Sequence, residues 1–191
     1  MLVAIGTVPR HFFLDKAFEE LAYTDQALPI AVEQTISQPF TVAYQSILLQ
    51  IKKTDRVLEI GSGSGYQACV LAALGARVFT IERQKELYLR LKSFLPHFFA
   101  EYKHLIEPFY GDGYLGLPQY APFDKILVTA AAEAVPTALC EQLAVGGSLV
   151  IPIGDANDVQ VMCRITRISD SEYHKETFDT FRFVPMLKGK T

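Results

Sequence analysis

The 191-residue chain has no tryptophan, only three cysteines and only four histidines. Cys69, Cys140 and Cys163 are far apart and odd in number. That pattern excludes a disulfide framework and a zinc-type spacing, and reads as free thiols in a reducing cytosol. His11, His97, His104 and His174 show no ligand spacing, so no metal is expected. Positive charge is not in excess: 18 Lys and Arg stand against 21 Asp and Glu, a formal charge of −3. A dedicated nucleic-acid binder needs clustered basic residues, so no nucleic-acid partner is expected. No apolar run approaches the roughly 20 residues of a membrane helix. Residues 1–10 lack a basic stretch followed by an apolar one, so neither a membrane anchor nor a secretion signal is expected. The expected location is cytoplasmic. What the chain does have is core material: 50% hydrophobic residues against 20% charged, which excludes a disordered chain.

One domain over 1–191 is expected, in three subregions. Residues 54–154 alternate strand and helix. Strands are expected at 56–60, 77–81, 106–110, 124–130 and 148–153, and helices at 66–74, 84–95 and 135–143. Pro96 should break or restart the second of these helices. Such alternation predicts an α/β fold: a doubly wound, mostly parallel sheet with helices on both faces. Residues 155–191 change character. Strand-favouring runs at 159–168 and 177–184 flank the polar Ser169-Asp170-Ser171-Glu172, which predicts an antiparallel hairpin at the sheet edge. Residues 1–50 differ again, with apolar positions at helical spacing over 9–21 (Phe13, Ala17, Phe18, Leu21), an irregular stretch over 27–39, and a helix over 40–51.

The most informative stretch is Val57-Leu58-Glu59-Ile60-Gly61-Ser62-Gly63-Ser64-Gly65-Tyr66. A strand runs into three glycines at alternate positions and then into a helix. The loop lies at the carboxyl end of a central strand, where open α/β sheets bind ligands. Glu82 ends the next strand, 21 residues after Gly61, and a carboxylate there can accept hydrogen bonds from ribose hydroxyls. The spacing G-x-G-x-G is not the G-x-G-x-x-G of the dinucleotide fingerprint, which counts against a nicotinamide dehydrogenase. With Glu59 before it, the loop resembles motif I of Rossmann-like methyltransferases, whose ligand is S-adenosylmethionine. An acid near that ligand's cationic groups is electrostatically sensible. Asp112, in Gly111-Asp112-Gly113, stands where a carboxylate could reach an adenine amino group, although an Asp-Gly pair can also be a simple turn.

Further segments narrow the resemblance. They are Val8-Pro9-Arg10-His11-Phe12-Phe13, Ala22-Tyr23-Thr24-Asp25, Thr35-Ile36-Ser37-Gln38-Pro39, Val128-Thr129-Ala130-Ala131 and Phe181-Arg182-Phe183-Val184-Pro185. Together with the glycine loop they closely resemble the protein-L-isoaspartate O-methyltransferase family over nearly the whole chain. The resemblance implies methyl transfer from S-adenosylmethionine to the free carboxylate of L-isoaspartyl residues in damaged proteins and peptides, releasing S-adenosylhomocysteine. The ester then closes to a succinimide, whose hydrolysis returns some normal aspartate. By position it implies Ser37 as the active-site serine, with Thr35, Ile36, Val184 and Pro185 on the substrate side. Glu59, Gly61, Ser62, Gly63, Gly65, Glu82, Asp112 and Gly113 match the cofactor positions.

Two departures stand out. The family usually places glycines just before Thr-Ile-Ser, and here those places hold Ala31 and Glu33. A positive φ at either would cost about 1–2 kcal/mol, and Glu33 adds negative charge near a site meant for a carboxylate. The family also usually carries a further helical piece before the Val-Pro-Arg segment, and without it an apolar surface is expected near the cofactor. The alternatives are a same-fold methyltransferase acting on another carboxylate or small molecule, and a cofactor-binding homologue without turnover. Oligomeric state is not legible.

Overall fold

The structure is a computed structural model and describes residues 1–98, 100–155 and 157–191. The chain opens with helix α1 (Leu2–Thr7) and two short 3-10 helices, Arg10–Phe13 and Lys16–Leu21. A two-stranded hairpin follows, β1 (Leu28–Pro29) against β2 (Thr35–Ile36), leading into α2 (Pro39–Leu49). The core then alternates β3 (Arg56–Ile60), α3 (Tyr66–Ala73), β4 (Arg77–Glu82), α4 (Lys85–Phe98) and β5 (Ile106–Tyr110). It continues with β6 (Phe123–Val128), α5 (Thr137–Glu141) and β7 (Leu143–Ile153). Strands β8 (Gln160–Arg167) and β9 (Tyr173–Phe181) complete it.

Seven strands form one sheet in the order β5-β4-β3-β6-β7-β8-β9. The pairings from β5 through β7 are parallel, while β7–β8 and β8–β9 are antiparallel. This is the expected Rossmann-like doubly wound sheet with a hairpin at its edge. The chain winds outward from β3 through β4 to β5, then returns to lay β6 on the other side of β3. The switch point therefore lies between the carboxyl ends of β3 and β6, the place where such sheets bind ligands.

Alternation along the strands builds two cores. Val57, Val78, Leu127 and Val150 face α1, α2, α3 and α4, while Leu58, Phe79, Ile126 and Leu149 face α5 and the 118–120 turn. Successive strand side chains point to opposite faces, so strands this apolar must be covered on both. Among the described residues no helix is long and apolar enough to cross a membrane.

Several boundaries differ from expectation. Residues 9–21 form no single helix, because Leu14 and Asp15 are extended and Ala17 and Leu21 stay exposed; only Phe13 of the four apolar positions is buried. The irregular 27–39 stretch contains the β1–β2 hairpin. Pro96 lies inside α4 without ending it: so near the last turn it removes one backbone hydrogen bond and little else. Strand β7 begins at Leu143, ahead of the expected start at 148, and Gly146-Gly147 form an irregularity within it, at the register shift opposite β6. Helix α5 is correspondingly shorter than 135–143.

Candidate active site

A cavity of about 880 Å³, counting its open mouth, lies over the switch point. Its floor is the glycine loop between β3 and α3. The loop doubles back on the end of β4: the Gly61 and Ser62 amides both donate to the Ile81 carbonyl, at 2.9 and 3.1 Å. Such close approach needs glycine. A Cβ on Gly61, whose φ is +92°, would stand 2.6 Å from Thr129 Oγ1, and one on Gly65, at +88°, would stand 2.3 Å from Leu91 Cδ1. Thr129 explains part of this tightness, since its hydroxyl lies 3.0 and 2.8 Å from the carbonyl oxygens of Ile60 and Gly61 and stitches β6 to the loop.

Glu82 closes the loop from the end of β4. Its Oε2 accepts the Gly63 amide at 2.9 Å and its Oε1 accepts the Gln84 amide at 2.8 Å. Burial raises its carboxyl above the ordinary range, opposed by these amides and by Arg83. It is the sole carboxylate lining the cavity among the described residues.

Beneath the floor runs a buried polar chain. Ser62 Oγ lies 2.6 Å from Thr80 Oγ1, and the Thr80 hydroxyl donates to Glu59 Oε2. Glu59 is 0% exposed and its Oε1 has no hydrogen-bond partner among the described residues. Burial pushes its carboxyl up to about 8, with the Thr80 hydrogen bond opposing and the Glu82 charge adding. A neutral carboxylic acid is therefore the main form below that pH.

The facing wall is the β1–β2 hairpin and the start of α2. Gln34, Thr35, Ile36 and Ser37 line the cavity there. The hairpin turns through Val32 (φ +51°) and Glu33 (φ +57°), and the Gln34 amide donates to the Ala31 carbonyl. Two successive positive φ values are the sign pattern of a type I′ turn, which favours Asn and Gly rather than a β-branched residue. The expected positive φ thus falls on Glu33 and on Val32, not on Ala31. Glu33 is exposed, so its charge is screened.

Ser37 is not the cap of α2. That place belongs to Gln38, and the Asp25 carboxylate accepts the Phe40 amide at 2.9 Å. The Ser37 hydroxyl makes no hydrogen bond among the described residues, which leaves it free in the cavity wall. Its carbonyl is held instead by Arg10, at 3.1 Å.

The far rim is the segment after β9. Val184 to Met186 bridges Ala131, whose amide donates to the Val184 carbonyl at 2.8 Å and whose carbonyl accepts the Met186 amide at 2.7 Å. Val184, Pro185, Met186 and Leu187 line the cavity from this side.

Of the expected residues, Ser37, Thr35, Ile36, Val184, Pro185, Gly61, Ser62, Gly63, Glu82 and Gly113 meet in this one cavity. Glu59, Gly65 and Asp112 stand outside its lining. Glu59 lies under the loop and Gly65 packs against α4. Both oxygens of Asp112 serve the protein itself, Oδ1 accepting the Tyr114 amide at 2.9 Å and Oδ2 the Gly189 amide at 2.7 Å. The lining also includes Tyr66, Gln67, Arg83, Gln84 and Thr129, which were not singled out in the sequence. Of these Thr129 carried a signal, its place inside the strand expected at 124–130 beside the switch point, and Tyr66 stood at the end of the glycine stretch.

Comparison with known proteins places this geometry. The protein-family model for protein-L-isoaspartate(D-aspartate) O-methyltransferase matches residues 1–191. The chain belongs to the protein-L-isoaspartate O-methyltransferase family. A protein-L-isoaspartate O-methyltransferase of Christiangramia forsetii is 56% identical over 190 residues, covering 100% of this chain and 87% of that protein. One from Flavobacterium johnsoniae is 50% identical with the same coverage. A Plasmodium falciparum structure, described as a beta-aspartate methyltransferase in complex with S-adenosyl-L-homocysteine, superposes with a TM-score of 0.86. It is 24% identical, covers 98% of this chain and 89% of its own, and so shows the family's fold.

Proposed function

We propose that the protein transfers the methyl group of S-adenosylmethionine to the free carboxylate of L-isoaspartyl residues in damaged proteins and peptides, the first step of their repair. The observation that carries this reading is a single cavity shared by two dissimilar walls. One is a glycine loop closed by Glu82; the other presents the unpartnered Ser37 hydroxyl beside Val184 and Pro185.

The residues present suit the cofactor. A Cβ on Gly63 would meet only Ile30 Cδ1, at 3.8 Å, so the loop leaves room for a ligand against its backbone. The carboxylate of Glu82 keeps lone pairs for ribose hydroxyls after accepting two amides. Gly61, Ser62 and Gly63 would lie along the ligand, with Gly113 on its far side. Glu59 would act from below, through Thr80 and Ser62, and Asp112 through its hold on the rim. Among the described residues no group of His, Cys, Asp and Glu could hold a metal ion. When bound, S-adenosylmethionine supplies a methyl carbon on a cationic sulfonium, and its transfer to a carboxylate leaves two neutral products.

The chain's own part is positioning. A carboxyl with an ordinary pKa near 4 is already ionised at neutral pH, so the reaction needs no strong base. Among the described residues no histidine lines the cavity, and none hydrogen-bonds the Ser37 hydroxyl to make it a nucleophile. Its hydroxyl donates to one carboxylate oxygen and so aims the other. Ile36, Val42, Ile60 and Met186 exclude water around the reacting atoms. Alignment of this kind is worth roughly 7–11 kcal/mol of barrier. Damaged polypeptides are thus the partners, and the three free thiols support a cytoplasmic workplace.

The test is labelled S-adenosylmethionine with a matched pair of peptides, one carrying L-isoaspartate and the other L-aspartate. Base-labile label in the first alone is expected. Cofactor binding with no label in either peptide would overturn the reading.

A further inference from the structure

Arg10 is a buried cation without an anion. It is 1% exposed, yet no carboxylate of the described residues lies within ion-pair distance. Its fork instead donates to three backbone carbonyls, Nη1 to Ala22 at 2.5 Å and Nη2 to Gln26 at 3.0 Å and Ser37 at 3.1 Å. Its Nε is buried with no hydrogen-bond partner among the described residues. Buried charges are ordinarily paired, because removing an ion from water is expensive. Here backbone dipoles make the direct contacts, and the Asp25 carboxylate, which favours the charge from beyond ion-pair distance, is engaged in starting α2.

We propose that Arg10 is the positioning residue of the substrate wall, fixing the Ser37 peptide and lending the cavity a positive charge, held in no contact ion pair among the described residues, that favours an anionic carboxylate. The inference rests on the isoaspartyl reading above and deepens it. Three carbonyls from three separate segments converge on one rigid fork, so the cap over the cavity is assembled at this point. Arg is suited to this, since its planar donors lose little freedom on binding and its charge persists when buried. Among the described residues Arg83 is the only cation lining the cavity, and it belongs to the cofactor wall at the end of β4. Arg10 touches neither ligand; it acts through Ser37 and through its field. That field discriminates an ionised carboxylate from a neutral amide of the same shape.

The experiment titrates the wild type, Arg10→Gln and Arg10→Lys, each saturated with S-adenosylhomocysteine, with two peptides. One carries L-isoaspartate; in the other that carboxylate is replaced by a carboxamide. Arg10→Gln is expected to weaken the anionic peptide about tenfold and the amide less than about twofold. Arg10→Lys keeps the charge but not the fork, so it should recover most of the anion's affinity, while kcat, measured separately with S-adenosylmethionine, should fall in both variants. Equal losses for both peptides, or no loss for either, would overturn the proposal. If Arg10→Gln does not fold, Arg10→Lys decides: loss of anion preference there refutes the electrostatic role. A wild type that binds both peptides equally would instead refute the isoaspartyl reading, and this inference with it.

Discussion

The two walls of the cavity are built by opposite means. The cofactor wall is local: one strand end, one glycine loop and one carboxylate 19 residues beyond Gly63, joined by short backbone hydrogen bonds. The substrate wall is remote: residues 10, 22, 26, 35–37, 131 and 184–186 meet there through side-chain-to-carbonyl clamps and single bridges. The first wall relieves strain with glycine, while the second accepts positive φ at Val32 and Glu33. A chemistry-neutral ligand grip can be written into one motif, whereas a surface that must meet another polypeptide is assembled from many segments.

Breaking each wall separately should give different failures. The largest effect is expected from Gly63→Val, which fills ligand space and strains a φ of +54°. S-adenosylhomocysteine affinity measured by calorimetry should fall about 100-fold, roughly 3 kcal/mol. Ser37→Ala should do the reverse. Turnover should fall about ten- to 100-fold, the worth of one orienting hydrogen bond, with S-adenosylhomocysteine affinity nearly unchanged. Unchanged turnover in steady-state assays would remove Ser37 from the mechanism.

A smaller effect belongs to the buried Glu59. Its folded carboxyl, at about 8, holds a proton more tightly than the unfolded value of 4.5. The stability this lends is full below the unfolded value and is lost as pH rises through about 8. Between those limits the wild type should lose up to roughly 1.4 kcal/mol per pH unit from this group. Glu59→Gln removes that slope, so its denaturation midpoint should gain on the wild type as pH is raised from about 5 to about 8. Parallel curves would place the proton elsewhere. The smallest effect is expected at the hairpin. Glu33→Gly relieves a left-handed residue and should stabilise the fold by about 1 kcal/mol in thermal unfolding, with little change in cofactor affinity.

How much was legible follows the same division. The sheet, its order of elements and the glycine loop could be read because strand periodicity and glycine spacing are local signals. Glu82 was legible from its distance along the chain. Arg10 as a clamp, Thr129 as a stitch and the hold of Asp112 on the Gly189 amide were not, since each depends on a carbonyl or amide far away in sequence. The 9–21 segment misled for a related reason: its apolar spacing suits a helix, but Arg10 turns inward to reach three carbonyls and the chain wraps in two short turns. The mirror-image turn at Val32 and Glu33 carries no turn residue, so nothing local announced it.

The most direct measurement follows one isoaspartyl peptide through repeated cycles with S-adenosylmethionine, separating isoaspartyl, methyl ester, succinimide and aspartyl forms by chromatography. The account predicts that the isoaspartyl form declines while normal aspartyl peptide accumulates, and that Ser37→Ala slows both. An isoaspartyl pool that stays constant while the cofactor remains bound would contradict it.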